Sequence, residues 1–278
     1  MAVSMMMSRG LSLGKALKYA GSSSGNYYYK PGMKASKLDD PSVLEHVREL
    51  ALQRPLYGSR RIAAMLSRRP GRRINRKQVQ HVFRLVGWTG PQTTRKELIR
   101  STRKRPPRPT DINQQWQTDI TCVWCEVDGW CYLFSILDCY TREWLAYTFS
   151  TQCGTDEAIR TLEMAVLERF PDGAVPEGLV TRSDGGSQYT SDRFISTLKV
   201  YGIKQEITGK NRPDQNAYIG AFHRSLKEDC IWQHDFQTFH EADAVIGQFF
   251  YEYNWDRPHS SLKYMTPKEF YAACGGTG

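Results

Sequence analysis

Two aspartates sit in segments that read as strand. Asp119 lies within Trp116-Gln-Thr-Asp-Ile-Thr121, and Asp184 within Thr181-Arg-Ser-Asp-Gly-Gly-Ser-Gln-Tyr189. Carboxylates brought together from separate elements suit magnesium, which prefers hard oxygen donors and completes its shell with water and substrate phosphate. Two such ions about 3.5–4 Å apart can serve both the attacking and the leaving oxygen of a displacement at phosphorus. The bland alternative for a lone strand aspartate is a turn or an ion pair, and Asp184 before two glycines has the look of a turn residue. Asp138 is a competing strand-end carboxylate and ranks below Asp119.

Positioning these side chains requires a sheet, and the surrounding pattern supplies one. Residues 116–127 are rich in Thr, Val, Trp and Ile, Asp128-Gly129 signals a hairpin, and 130–137 returns. A turn at 139–142 leads to a third strand, 144–149. Helix follows over 155–170, then a short apolar strand, 178–183, that ends at Asp184. A helix (191–201), a strand (203–207) and helices near 213–230 and 239–253 complete the pattern. Three antiparallel strands followed by alternating helix and strand describe an α/β, RNase H-like mixed sheet, although spacing alone leaves other α/β arrangements open.

The segment before this sheet is helical. Leu44, Val47, Leu50 and Ala51 share one helical face, with Asp40 or Ser42 as N-cap. A second helix carries Ile62, Ala63 and Leu66 between Arg60, Arg61 and Arg68, all read as exposed. Asn75 caps a third, with Gln78 as capping-box partner. Val79, Val82, Phe83 and Val86 form its inner stripe, while Arg76, Lys77, Gln80, His81 and Arg84 lie outside. Three short helices with a basic third fit a helix-turn-helix whose last helix enters the major groove. The domain boundaries expected are an N-terminal arm, 1–38, with a small helix-turn-helix as one reading; a helix-turn-helix domain, 39–90; a basic linker, 91–113; and the sheet domain with a helical tail, 114–278.

Charge supports a polyanionic partner. The 278-residue chain carries +9, and from Arg54 to Arg108 there are seventeen Arg or Lys against one acid, Glu97. A basic surface kept for solubility would interleave acids, so the block reads as a phosphate-binding footprint. The Pro-stiffened linker, with Arg103, Lys104 and Arg105, reads as extended chain tracking phosphates. No apolar run approaches the ~18 residues of a membrane span, and no secretion signal is recognisable. Seven cysteines, an odd number, indicate free thiols in a reducing compartment, so a cytoplasmic, nucleoid-associated protein is expected. Cys122 and Cys125 form a CxxC without a second ligand pair, which reads as strand packing.

On these residues the chain resembles the second open reading frame product of insertion-sequence-3 family transposases, within the retroviral-integrase-like superfamily. Tyr57-Gly-Ser-Arg-Arg-Ile62 and Asn75-Arg-Lys-Gln-Val79 are similar to the family's helix-turn-helix. The segments around Asp119 and Asp184, together with Tyr253-Asn-Trp-Asp-Arg-Pro-His-Ser-Ser-Leu262, are similar to its integrase-core motifs. The third motif is Asn-Ala-x-x-Glu-x-Phe with a Lys or Arg seven residues after the Glu. Here it reads Asn216-Ala-Tyr-Ile-Gly220-Ala-Phe222, with Lys227 in the last place. The resemblance implies an RNase H-like core and a polynucleotidyl transferase that cleaves transposon ends at terminal inverted repeats and joins them to target DNA. It also implies two magnesium ions per site (manganese as a substitute), and a homo-oligomer, at least a dimer, on double-stranded DNA. An upstream-frame protein is a further implied partner. Asp119 and Asp184 would be catalytic metal ligands and Lys227 a DNA contact near them, but the third acidic place is occupied by Gly220.

No neighbour takes over the missing carboxylate if the segment is one helix. Glu228 would be about 12 Å along and roughly 80° round from position 220, and Asp214 about 9 Å the other way along the axis and roughly 120° round. An inactivated copy is the plain reading. Two rivals stay open: a non-catalytic DNA-binding regulator with a vestigial nuclease fold, and a repair nuclease such as a junction resolvase, which the basic helical domain and the Arg-Pro-His tail disfavour. For Asn254 to His259, a place near the active site and a role in docking the last helix are equally open.

Overall fold

The computed structural model describes residues 2–28, 41–68, 74–88, 107–209 and 212–276. The chain divides into two units, Met1–Leu44 and Glu45–Gly278. The first contains α1 (Ala2–Ser8), α2 (Leu13–Tyr19) and α3 (Ser24–Tyr28), with Ala16 and Leu17 buried.

Helix α4 (Pro41–Gln53) runs across the division. It buries Val43, Val47, Leu50 and Ala51, one residue round from the expected stripe, because Leu44 is only half-buried. Ser42 lies inside the helix rather than at its cap, since Pro41, with no amide hydrogen to lose, already opens the first turn. Asp40 lies outside the described residues. Helix α5 (Ser59–Ser67) packs against α6 (Arg76–Leu85). Asn75 caps α6 through the reciprocal pair its sequence announces: Gln78 N donates to its Oδ1 at 3.1 Å, and Asn75 N donates to Gln78 Oε1 at 2.9 Å.

The sheet has five strands: β1 (Gln115–Cys125), β2 (Gly129–Asp138), β3 (Trp144–Ser150), β4 (Val180–Ser183) and β5 (Lys204–Ile207). Their order is β3-β2-β1-β4-β5. The first three strands are antiparallel, and β4 and β5 add in parallel. Gly129 closes the β1–β2 hairpin at φ +75°, a conformation glycine adopts without strain. Helix α7 (Thr155–Arg169), the short α8 (Ser187–Thr190) and α9 (Asp192–Val200) follow.

Beyond β5 the chain makes a 3-10 turn, Pro213–Asn216, before α10 (Ala217–Asp229). The segment near 213–230 is thus not one continuous helix. Helix α11 (Phe239–Trp255) and α12 (Pro267–Ala273) end the fold. One apolar cluster lies under α7 and α9, with Trp116, Phe134, Leu162 and Phe194; the other, under α10 and α11, centres on Trp144, Phe222, Leu226 and Phe249. Helices therefore cover both sheet faces.

The helices preceding the sheet are tied to its C-terminal elements. Arg54 pairs with Glu252 and with Asp256 (3.2 Å), while Arg68 reaches Glu269 (2.8 Å) and the Tyr264 carbonyl (2.7 Å). Arg68 is exposed, as read from the sequence, and its guanidinium is engaged by these surface contacts.

Candidate active site

Asp119 lies on β1, the central strand, just past the point where its ladder with β4 ends. That ladder pairs Gln117 with Arg182; Asp119 and Asp184 each follow two residues further on, Asp119 within β1 and Asp184 just past the end of β4. Residues two apart on a strand share a face. Gln117 and Arg182 declare which face, because both donate to the carbonyl of Gln215, at 2.9 and 3.0 Å. This places Asp119 on the α10 side of β1 at the open end of the β1–β4 junction, with Asp184 one residue past the end of β4. Tyr189 reports on both: burial pushes its phenol well above the usual range, and the carboxylates of Asp119 and Asp184 push it the same way.

Each carboxylate is oriented by backbone amides. Asp119 Oδ1 accepts from the amide of Ile120 (2.9 Å), and Asp184 Oδ1 accepts from the amide of Gly186 (3.0 Å). A Cβ at residue 186 would lie 3.0 Å from that same Oδ1, so glycine permits the close approach. Asp184 is exposed, and the Asp119 side chain retains 29% of its accessible surface.

Gln117 fixes where α10 begins. Its fully buried side-chain oxygen accepts from the amides of Tyr218 (3.2 Å) and Ile219 (3.0 Å). Two of the orphan donors in the helix's first turn are thereby satisfied from the strand that carries Asp119. Sequence reasoning passed over this residue; its only signal was the place of an amide two positions before the aspartate.

Position 220 follows in the first turn of α10. A Cβ built on Gly220 meets nothing within 4 Å. One turn on, His223 Nδ1 lies 3.4 Å from Asp119 Oδ2, and its buried Nε2 has no hydrogen-bond partner among the described residues. Residues three apart on a helix share a face, so a side chain at 220 would project on the side of α10 that meets Asp119. His223 was also missed; a lone histidine in an apolar stripe gave no reason to single it out. Lys227, one further turn along, is half-buried beside a cavity of about 510 Å³ lined by Trp124, Trp130 and Trp232.

Other acids are engaged elsewhere. Asp138 is fully buried and accepts from the amides of Asn113, Tyr140 and Thr141 at 2.8 to 2.9 Å, a structural cap. Asp214 pairs with Arg212 (3.0 Å) in the 3-10 turn, where helical angles do not apply, and Glu228 with Arg224 (2.7 Å). Carboxylate oxygen donors such as Asp119 and Asp184, at the end of the β1–β4 junction, are of the type that suits a hard divalent ion completed by water and phosphate. Among the described residues no group of three His, Cys, Asp or Glu forms a metal-binding cluster. Cys122 is exposed and Cys125 buried, on opposite faces of β1.

Of the basic residues singled out in the sequence, Arg60, Arg76, Lys77 and Arg84 are exposed and Gln80 is half-buried. Arg61 is not on the outer surface: it is half-buried, its guanidinium 5.3 Å from the Tyr57 ring centroid. Arg103, Lys104 and Arg105 lie outside the described residues. Within the segment Asn254 to His259, Asn254 has a docking role: its side-chain amide bonds both the amide and the carbonyl of Trp144 (3.0 and 2.8 Å) and holds the end of α11 on β3.

Comparison with known proteins agrees with this architecture. Residues 109–213 and 201–267 match models of the integrase core domain, and residues 37–96 match an HTH-like domain. The putative transposase InsK for insertion sequence element IS150 of Escherichia coli K12 is 30% identical, over 88% of this chain and 87% of that one. A 31.7 kDa protein of insertion element IS407 from Burkholderia multivorans is 27% identical, over 81% and 78%. Among solved structures, a chain of the simian T-cell lymphotropic virus intasome in complex with PP2A regulatory subunit B56 gamma matches with a TM-score of 0.50 at 15% identity, covering 81% of this chain and 74% of that chain. At that identity the likeness concerns the fold. The integrase-like mixed α/β core with a preceding helix-turn-helix is thus established, in a group of polynucleotidyl transferases that act on DNA with divalent metals. The chain belongs to the insertion-sequence-3 family of transposases with an integrase catalytic core.

Proposed function

We propose that this chain binds the terminal inverted repeats of its element as an oligomer, at least a dimer, and is impaired in strand cleavage and strand transfer. Residues 39–90 would supply DNA binding, 91–113 a phosphate-tracking linker, and 114–278 the catalytic core. Exposed Arg60, Arg76, Lys77 and Arg84, with Gln80, would contact the duplex, joined by the linker's Arg103, Lys104 and Arg105 and by Lys227 near the active site.

The observation that carries the impairment is open space beyond Gly220 on the helix side that meets Asp119. A pair of magnesium ions there would stabilise the charge of a displacement at phosphorus. Asp119 and Asp184 would hold oxygen-liganded metal, but the third carboxylate has no occupant. His223 would orient Asp119 through its Nδ1 rather than replace that carboxylate, because imidazole is a poor partner for magnesium beside oxygen donors.

The test compares the chain as written with Gly220→Glu in magnesium-dependent cleavage and joining of element-end DNA, alongside calorimetric titration of magnesium. The Glu variant is expected to cut and to bind the metal more tightly. Strand transfer by the unaltered chain at the variant's rate would overturn the reading. Gly220 also favours a second reading, a regulator that occupies element ends without chemistry; end binding with no cleavage even in Gly220→Glu would select it.

A further inference from the structure

Helix α10 has a second lined face. Where His223 meets Asp119 on one side, Tyr218, Ala221 and Ser225 on the other border a cavity of about 270 Å³. Three arginines converge on it from separate elements: Arg61 from α5, Arg142 from the β2–β3 turn, and Arg257 from the segment after α11.

We propose that this arginine-lined cavity is a phosphate-binding site that takes a backbone phosphate of the bound DNA, apart from the carboxylate pair. The inference rests on the DNA-binding reading above.

Charge is the first support. Arg257 is fixed by Asp229, whose Oδ2 accepts from its Nε (2.9 Å) and Nη2 (2.7 Å). Neither Arg61 nor Arg142 has a carboxylate within ion-pair distance among the described residues. Three guanidinium groups thus face one acid. Burial and then Arg257 lower the pKa of Arg61, and burial followed by Arg257, Arg61 and Arg142 holds His259 well below its usual range. The cavity therefore has a positive interior.

Unmet hydrogen bonding is the second. Among the described residues, Arg142 Nη1 and His259 Nε2 are buried and have no hydrogen-bond partner. Buried polar atoms in folded proteins are almost always bonded, and exceptions call for an explanation. Arg142 is also held at φ +62°, where side chains other than Asn and Asp are uncommon. Its guanidinium stacks on the Tyr218 ring at 3.7 Å, which leaves its edge available. Planar guanidinium edges recognise phosphate oxygens with paired hydrogen bonds. The space far exceeds the ~15 Å³ that one water requires.

Placement selects DNA as the source. A helix with its side chains is ~10–12 Å across, about three nucleotides at ~3.4 Å per step. A strand whose reacting phosphate lies at Asp119 and Asp184 would present another phosphate at the cavity by crossing α10. Arg61 also follows directly on exposed Arg60 in the helix-turn-helix.

The test measures affinity of the full chain for an element-end duplex against salt, for the chain as written, Arg142→Asn, Arg61→Gln and Arg142→Lys. Asparagine tolerates the positive φ, so Arg142→Asn removes charge without new backbone strain, and melting curves check folding independently. Each neutral variant is expected to lower the log–log salt slope by ~0.9, so that affinity lost between 50 and 200 mM salt shrinks about 3.5-fold. Arg142→Lys should keep the slope. Unchanged slopes in both neutral variants would overturn the proposal and leave DNA binding standing. If the unaltered chain binds no duplex, both readings fall. Inorganic phosphate alone, titrated by calorimetry, separates the sources: tight binding lost in Arg142→Asn, with an unchanged duplex slope, would assign the cavity to a free anion and overturn the DNA assignment.

Discussion

Replacing Gly220 by glutamate should leave the metal-free protein almost as stable as before and make its stability newly sensitive to magnesium. The added side chain enters open space, so no packing is disturbed. Removing a helical glycine in favour of glutamate gains roughly 0.5–0.8 kcal/mol, and an acid in the first turn of α10 gains about 0.3–1 kcal/mol from the helix dipole. Against this stands repulsion from Asp119. For carboxylates roughly 8 Å apart at an effective dielectric near 20 it is about 2 kcal/mol, which screening at physiological salt cuts to about 1 kcal/mol. The terms nearly cancel, so melting in chelator should change by only a few degrees. Magnesium at a hundredfold excess over its dissociation constant then adds about 2.7 kcal/mol to the species that binds it. At about 2–4 °C per kcal/mol for a unit of this size, the variant's melting temperature should rise by about 5–11 °C with metal. Differential scanning calorimetry with magnesium or chelator measures this directly. An identical magnesium response in the two proteins would refute the reasoning, because position 220 would then not face the metal.

Gln117→Leu should strip the cap from α10 and leave the amides of Tyr218 and Ile219 without their acceptor; at about 1–3 kcal/mol per unpaired group, denaturant unfolding should show a loss of about 2–6 kcal/mol. A loss under 1 kcal/mol would show that water replaces the cap. The pKa of His259, faced by Arg257, Arg61 and Arg142 and by the Tyr253 ring at 4.8 Å, lies well below the ordinary 6.5 in the folded state. The unfolded chain therefore takes up this proton first, so the stability associated with neutral His259 is complete above about pH 6.5 and is lost as pH falls toward the folded value. Stability measured from pH 7.5 to 5 should show that loss and His259→Gln should flatten it; the same profile in both proteins would assign the loss to other groups. Affinity for element-end DNA should fall ~10³–10⁵-fold between 50 and 200 mM salt if 6–10 phosphates are contacted, and a flat profile in a fluorescence-anisotropy titration would remove the basic block from the interface.

What the sequence disclosed is what short-range physics encodes. The capping box of Asn75 and Gln78, the hairpin at Gly129 and the strand ending before Asp184 are local, and each stands in the structure where its residues put it. Local pattern does not show what a side chain meets across the fold. Arg61 reads as one more basic residue, yet tertiary packing turns it toward Tyr57 and away from the outer surface. Gln117 is a polar residue in a strand until α10 arrives 101 residues later to be capped by it. The angular arithmetic between Asp214 and position 220 assumed one helix; a 3-10 turn before Ala217 breaks that assumption. In each case the deciding partner is distant in sequence.

Helix α10 explains how cutting and holding can be lost separately. Its buried stripe, Ile219, Phe222 and Leu226, packs under the sheet, and of the three only Phe222 also borders the cavity. The face toward Asp119 carries position 220, where only an exposed side chain has been given up, so glycine costs about 1 kcal/mol of helix propensity and no core contact. The opposite face borders the arginine cavity, whose charges come from three other elements. Under the proposed function, a carboxylate-to-glycine change at 220 would remove a metal ligand while leaving the fold, the helix-turn-helix and the cavity intact. Such a chain would still occupy element ends and join assemblies with active copies, and it should act as a dominant inhibitor of transposition when both are present. Mixing it with its own Gly220→Glu variant provides the measure: strand transfer should fall more steeply than dilution of active protomers predicts, and a linear fall would mean the two do not assemble together.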